Sequence, residues 1–129
     1  MTDLLALMPF AATLGIELEL ATKDPTIGRL PYDASLTTAG GAVHGGALMA
    51  LADSVGAVCA YLNLPPDTTT STTSSNTVFV RGVRSGAVTA TARPLHVGRS
   101  TIAVSTELRD TEGRLVALTT QSQAVLATG

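Results

Sequence analysis

Between Gly40 and Leu64 the chain reads GGAVHGGALMALADSVGAVCAYLNL: glycines around one histidine, then a long apolar run holding a single acid, Asp53. No other stretch narrows the fold as much. Leu48, Leu51, Val55, Val58 and Leu62 recur at three- and four-residue steps, so the spacing predicts a helix with its bulky groups on one stripe. Gly46, Ala50, Asp53, Ala57 and Ala60 form a second stripe nearly opposite, since Asp53 and Val55 stand about 200° apart on a helix. One side is thick, the other thin, and the acid is on the thin side. A helix apolar nearly all round is a core helix. With Asp53 in its middle and a run barely long enough, it is a poor membrane span. A buried carboxylate is costly unless something pairs or uses it. The expectation is therefore a buried, functional Asp53.

The length of 129 residues fits one domain, 1–129, with a sizeable core. Only 14% of residues are charged, low for the surface of a small soluble monomer, so another copy of the chain is expected to cover part of it. The net charge of −2 gives no global basic field for nucleic acid. Arg81, Arg84, Arg93 and Arg99 follow one another with no acid among them. Such a patch suits a phosphate-bearing small ligand; the alternative is a set of solvated strand ends. The single cysteine, Cys59, has no partner for an internal disulfide, and its apolar neighbours argue against a reactive thiol. His44 and His96 lie far apart with no cysteine or acid cluster, so no metal site is expected. The first residues lack a basic region and a signal-like run, and Pro9 breaks the short apolar stretch. Cytoplasmic is the default.

Residues 3 to 8 fit a short helical turn with Asp3 near its start. Phe10 to Leu14 packs down, and Gly15 turns the chain. Ile16 to Ala21 alternates, with Ile16, Leu18 and Leu20 on one face. Lys23-Asp24-Pro25 turns into a second strand, Thr26 to Tyr32. After the helix, Pro65-Pro66-Asp67 is a stop. TTTSTTSS, from Thr68, has the composition of a linker, yet it runs unbroken into Val78-Phe79-Val80, and β-branched threonines favour a strand. Ala87 to Val97 alternates, with Pro94 marking a bulge or an edge. Thr101 to Arg109 alternates with Ile102, Val104, Thr106 and Leu108 on one side, and Arg114 to Ala127 is a last long strand. The order β-β-α-β-β-β-β predicts an α+β fold: one long apolar helix wrapped by a curved antiparallel sheet of about six strands.

His44, Gly45, Gly46 and Asp53 are the residues equipped for chemistry. Glycines at a helix start expose backbone N–H groups where the dipole favours developing negative charge. A carboxylate acts as general base or as nucleophile. His44 and Asp53 are nine residues apart, roughly 13 Å along the axis and on opposite sides. One chain's helix start and its own Asp53 cannot easily meet at one atom. If both work, a second copy supplies one of them.

The pattern G-x-V-H-G-G-x-x-x-x-L-A-D, here Gly41, Val43, His44, Gly45, Gly46, Leu51, Ala52 and Asp53, resembles the hotdog-fold thioesterases of the phenylacetic-acid-degradation (PaaI-like) branch. The likeness extends to Asn76-Thr77-Val78-Phe79-Val80, Gly86, His96-Val97-Gly98-Arg99 and Gly113-Arg114-Leu115-Val116-Ala117. The resemblance implies hydrolysis of an acyl-coenzyme A thioester without metal or organic cofactor. It implies a homodimer, with tetramers built from dimers, and no nucleic-acid or membrane partner. Asp53 is then the catalytic carboxylate, reaching into the partner's site. The N–H of Gly46, or of Gly45, polarises the carbonyl, and His44 helps place the carbonyl or the helix start. Thr72, with Thr73 second, positions the attacking water. Gly98 and Arg99, with Arg81 and Arg84, contact the coenzyme's phosphate end. Many relatives carry an asparagine shortly before HGG; here Thr38 stands nearest that role, with a shorter reach. Two other classes stay open: a non-catalytic acyl-CoA-binding hotdog protein, and a hotdog hydratase acting on enoyl thioesters.

Overall fold

The computed structural model describes residues 4–128. The first described elements are a 3-10 turn, Leu4–Leu7, and a short helix α1, Pro9–Leu14. Asp3 lies outside the described residues. Pro9 does not interrupt structure; it opens α1, where a missing N–H costs nothing. Gly15 ends that helix with φ 84°, a left-handed conformation that suits glycine. Phe10, expected to pack down, is 65% exposed, and its neighbour Ala11 is the buried one.

The long helix α2 runs Gly45–Leu62. Six strands surround its thick side: β1 Glu17–Ala21, β2 Thr26–Pro31, β3 Thr68–Phe79, β4 Ala87–Val97, β5 Thr101–Arg109 and β6 Leu115–Ala127. They form one antiparallel sheet in the order β1-β2-β4-β5-β6-β3. Leu48, Leu51, Val55 and Val58 are buried against it, each contributing about 2 kcal/mol of apolar burial. Gly28 of β2 lets sheet and helix touch: a Cβ there would come 2.6 Å from Val55 Cγ2. By length and composition α2 could cross a membrane, but its apolar side is spent on this core.

The threonine-rich run is strand β3, at one edge, paired among the described residues to β6 alone. Ile102, Val104, Thr106 and Leu108 point inward as the alternation requires, all fully buried. In β1 the alternation fails after Leu18. A bulge between Leu18 and Leu20 inserts Glu19, so Leu20 faces outward, 40% exposed. Pro94 sits at a bulge of β4, beyond Ala92, where pairing with β2 ends. Its missing N–H therefore breaks no ladder bond.

The sheet wraps one side of α2 only. Gly46, Met49, Asp53 and Tyr61 stand exposed on the other. The helix is not enclosed all round within one chain.

Candidate active site

Asp53 is exposed, against the expectation of a buried acid. The thick stripe takes the sheet, and the thin stripe from Gly46 to Ala57 is left at the open side, beside the edge formed by β3 and β6, while Ala60 at its end is buried. Two side chains reach its carboxylate there. Thr72 Oγ1 donates to Asp53 Oδ1 at 3.3 Å, and Gln121 Nε2 donates to the same oxygen at 3.1 Å. Among the described residues none donates to Oδ2. Behind them, Gln123 Nε2 donates to Thr72 Oγ1 at 2.8 Å, and Thr70 Oγ1 donates to Gln123 Oε1 at 3.1 Å.

A bulge in β3 selects which threonine arrives. The register with β6 shifts between Thr72 and Ser74, inserting Thr73. Thr70 and Thr72 precede it on the helix-facing side, and Thr77 follows on that same side, bonded to Thr119. The Thr73 hydroxyl is turned to the backbone of Ser122, 3.2 Å away. Of the two threonines expected near Asp53, Thr72 is the one in contact.

Sequence reasoning passed over Gln121 and Gln123. The signal was available: two glutamines at i and i+2 of a strand share one face, and Val116-Ala117 at the start of that strand marks it as part of the core. Both are 1% exposed.

At the start of α2, His44 is the N-cap, and its Nδ1 accepts from the N–H of Gly46 at 2.8 Å. That leaves Nε2 as the ring's N–H donor. The Gly46 N–H, first choice for polarising a carbonyl, is therefore already engaged. The N–H of Gly45 finds no acceptor among the described residues. Gly45 also lines a cavity of about 380 Å³ with Val43, Leu48, Phe79 and Arg81. Thr38 stands exposed in the tight loop before α2, where its backbone closes onto Gly41 and Ala42; it has no contact with Asp53.

The arginines do not form one patch. Arg93 pairs with Asp24 at 2.8 Å. Arg84 Nε reaches the carbonyl of Gly40 at 3.4 Å, and the Arg81 N–H bonds Val116 O, both near the helix start. Arg99 lies in the β4–β5 turn beside Ser100, whose carbonyl accepts from Val125. Val116 and Val125 are nine residues apart on β6, about 30 Å. Arg99 and Arg81 thus sit at opposite ends of the sheet, which chain order alone conceals. Gly98 closes that turn onto Thr101, and a Cβ there would lie 2.5 Å from His96 Nε2.

A second cavity, about 310 Å³ and mostly apolar, opens one helical turn beyond Asp53, between Ala57, Tyr61, Leu4, Met8 and Thr70. Cys59 is buried with Sγ 3.6 Å from the Lys23 carbonyl, and burial pushes its thiol up, away from nucleophilic use. Among the described residues no three His, Cys, Asp or Glu side chains gather as a metal set.

The sequence profile of the thioesterase superfamily matches residues 40–117, more than half the chain and the whole of the helix just described. The chain belongs to the thioesterase superfamily. Its sheet-wrapped helix is the hotdog fold of that family, and the family's reaction is thioester hydrolysis. Solved thioesterases superpose closely on it. One from Pseudomonas aeruginosa, a single-residue variant, gives a TM-score of 0.91 at 30% identity over 97% of this chain and 92% of its own. One from Haemophilus influenzae gives 0.87 at 30% identity over 92% and 82%. In sequence, the 1,4-dihydroxy-2-naphthoyl-CoA hydrolase of Escherichia coli is 31% identical across 88% of this thioesterase-family chain and 83% of its own length. A Vibrio cholerae protein named as an esterase is 40% identical over 85 residues, which span 66% of this chain and 57% of that protein.

Proposed function

We propose that this thioesterase-family chain hydrolyses an acyl-CoA with an aryl-acid acyl group, at a site shared by two copies. The observation that carries the reading is Asp53: an exposed carboxylate on the core helix, held through one oxygen and open at the other. Within the superfamily, the pattern from Gly41 to Asp53 supports the PaaI-like branch.

Asp53 works on one face of the thioester carbon. As base, it takes a proton from water while the water oxygen bonds to that carbon; the C–S bond breaks, and the proton passes to the departing thiolate. As nucleophile, its oxygen bonds to that carbon while the C–S bond breaks and the thiolate leaves; water then opens the resulting acyl anhydride, freeing the acid and the Asp53 carboxylate and giving one proton to the thiolate. Thr72 orders the carboxylate. The carbonyl oxygen, gaining charge, is met by the start of the other copy's helix. Gly45 supplies the open N–H there, and Gly46, tied to His44, supports the geometry. His44 Nε2 and the Thr38 hydroxyl stand at the same end as further donors. Arg81 and Arg84 at that end, and Gly98 and Arg99 at the other, are candidates for the coenzyme's phosphates. No metal or organic cofactor enters this scheme.

The apolar cavity beyond Asp53 suits an aromatic acyl group, and the Escherichia coli relative bears the name of an aryl-CoA hydrolase. Strand β3 supports pairing of copies. It is an edge strand with one side unpaired, and Val78 and Phe79 are exposed on it, with Val80 just after. We place the dimer there, with dimers pairing into tetramers, in the cytoplasm.

The test is thiol release from a panel of aryl and aliphatic acyl-CoAs. Aryl-CoA turnover supports the reading. Coenzyme A binding without turnover on any member would give first place to a binding protein, and hydration of an enoyl-CoA to a hydratase.

A further inference from the structure

Resting on the reading of Asp53 as the reacting carboxylate, we infer that Gln121 and Gln123 of β6 are positioning residues for it. They fix which oxygen of Asp53 is bound and which is left for substrate.

Two adjacent inward positions of a core strand are apolar by default, and buried polar groups there need a reason. The chain of hydrogen bonds supplies one. Thr70 donates to Gln123, Gln123 donates to a lone pair of Thr72 Oγ1, and Thr72 donates its own proton to Asp53. Every proton points toward the carboxylate. Gln121 reaches it directly, and both paths end on Oδ1.

Gln121 shows that the arrangement is not kept for stability. Its Nε2 serves Asp53, while its Oε1 is buried with no partner in the described structure. A half-satisfied amide in a core is destabilising. Its orientation is nevertheless forced, because turning the amide over would set Oε1 against Oδ1. Gly56, one turn beyond Asp53, leaves the gap it occupies; a Cβ there would fall 1.8 Å from Gln121 Oε1.

The experiment compares Gln121→Met, Gln123→Met and Thr72→Val with Asp53→Ala, by aryl-CoA hydrolysis and thermal unfolding. Met keeps the length and apolar body of Gln and removes both amide atoms. Gln121→Met is expected to lower kcat by about 10- to 100-fold, the scale of a misplaced reacting group. KM should stay within about twofold, and the melting midpoint should equal or exceed wild type, since the orphan acceptor is gone. Gln123→Met should lower kcat in the wild type and add no loss in the Thr72→Val chain, because it acts through Thr72. The inference is overturned if Gln121→Met keeps wild-type kcat, or if it loses kcat by melting below wild type. It is equally overturned if Gln123→Met costs the same with and without the Thr72 hydroxyl. Asp53→Ala separates the two levels. If that variant turns over normally, the reading of Asp53 itself fails; if it is inactive while Gln121→Met is fully active, only the positioning role fails.

Discussion

Gln121 Nε2 lies 3.1 Å from Asp53 Oδ1, although 68 positions separate the two residues in sequence. The bond ties the last strand of the sheet to the middle of its helix. It makes the acid's orientation a property of the core rather than of an exposed side chain.

Gly56 should be intolerant of even one methyl group. Alanine favours helices by about 1 kcal/mol over glycine, yet here its Cβ would collide with the Gln121 amide. Gly56→Ala is expected to lose about 1–3 kcal/mol of stability through overpacking, and to lose turnover with it. Denaturant unfolding and thiol release on one preparation check this; a stabilised, active variant would show that the amide moves aside freely.

His44 has two separable jobs. As N-cap it satisfies the Gly46 N–H, so His44→Ala should cost about 1 kcal/mol of stability. Serine is a good N-cap without a ring N–H. His44→Ser should recover the stability and leave turnover low if Nε2 meets the substrate. Recovery of both would assign His44 to capping alone.

Much of this is legible in the sequence. The glycines and the three- and four-residue steps marked α2, the alternation marked β1, β4 and β5, and the Lys23-Asp24-Pro25 turn marked the start of β2. The threonine run was a strand because nothing in it breaks one. What escaped depends on register. Inserted residues at Glu19 and Thr73 reverse which side chains face the helix, and no periodic rule announces a bulge. Strand order put β3 beside β6, so Gln121 and Gln123 came to Asp53 unannounced. The same order sent Arg99 and Arg81 to opposite ends. Asp53 was expected in the core because its neighbours are apolar, but their thin side faces away from the sheet.

The β5–β6 turn carries a pH-dependent element. Asp110 Oδ1 accepts from the backbone N–H groups of Arg114 and Glu112, and Oδ2 pairs with Arg114 Nε. The Arg114 backbone bond comes first in holding the Asp110 carboxyl below its ordinary value. A lowered folded value stabilises the fold above the ordinary carboxylate range and is lost as pH falls through that lowered value. Asp110→Asn should therefore melt below wild type at neutral pH, with the difference shrinking below about pH 4. A gap that is constant with pH would contradict it.

Edge strand β3 should carry the pairing of copies. Val78 and Val80 are each 56% exposed. Lysine at both positions disfavours a flat edge contact. Sedimentation should show the smaller species, and turnover should fall with it. An unchanged mass would move the interface elsewhere.

The central claim is that Asp53 of one copy works with the helix start of another. It is tested most directly by mixing two inactive chains, Asp53→Ala and Gly45→Val, after subunit exchange verified by mass. A shared site predicts that random pairing restores about a quarter of wild-type activity, since half the dimers are mixed and each holds one intact site. A mixture of verified hybrids that stays inactive would contradict the shared site and place all its chemistry within one chain.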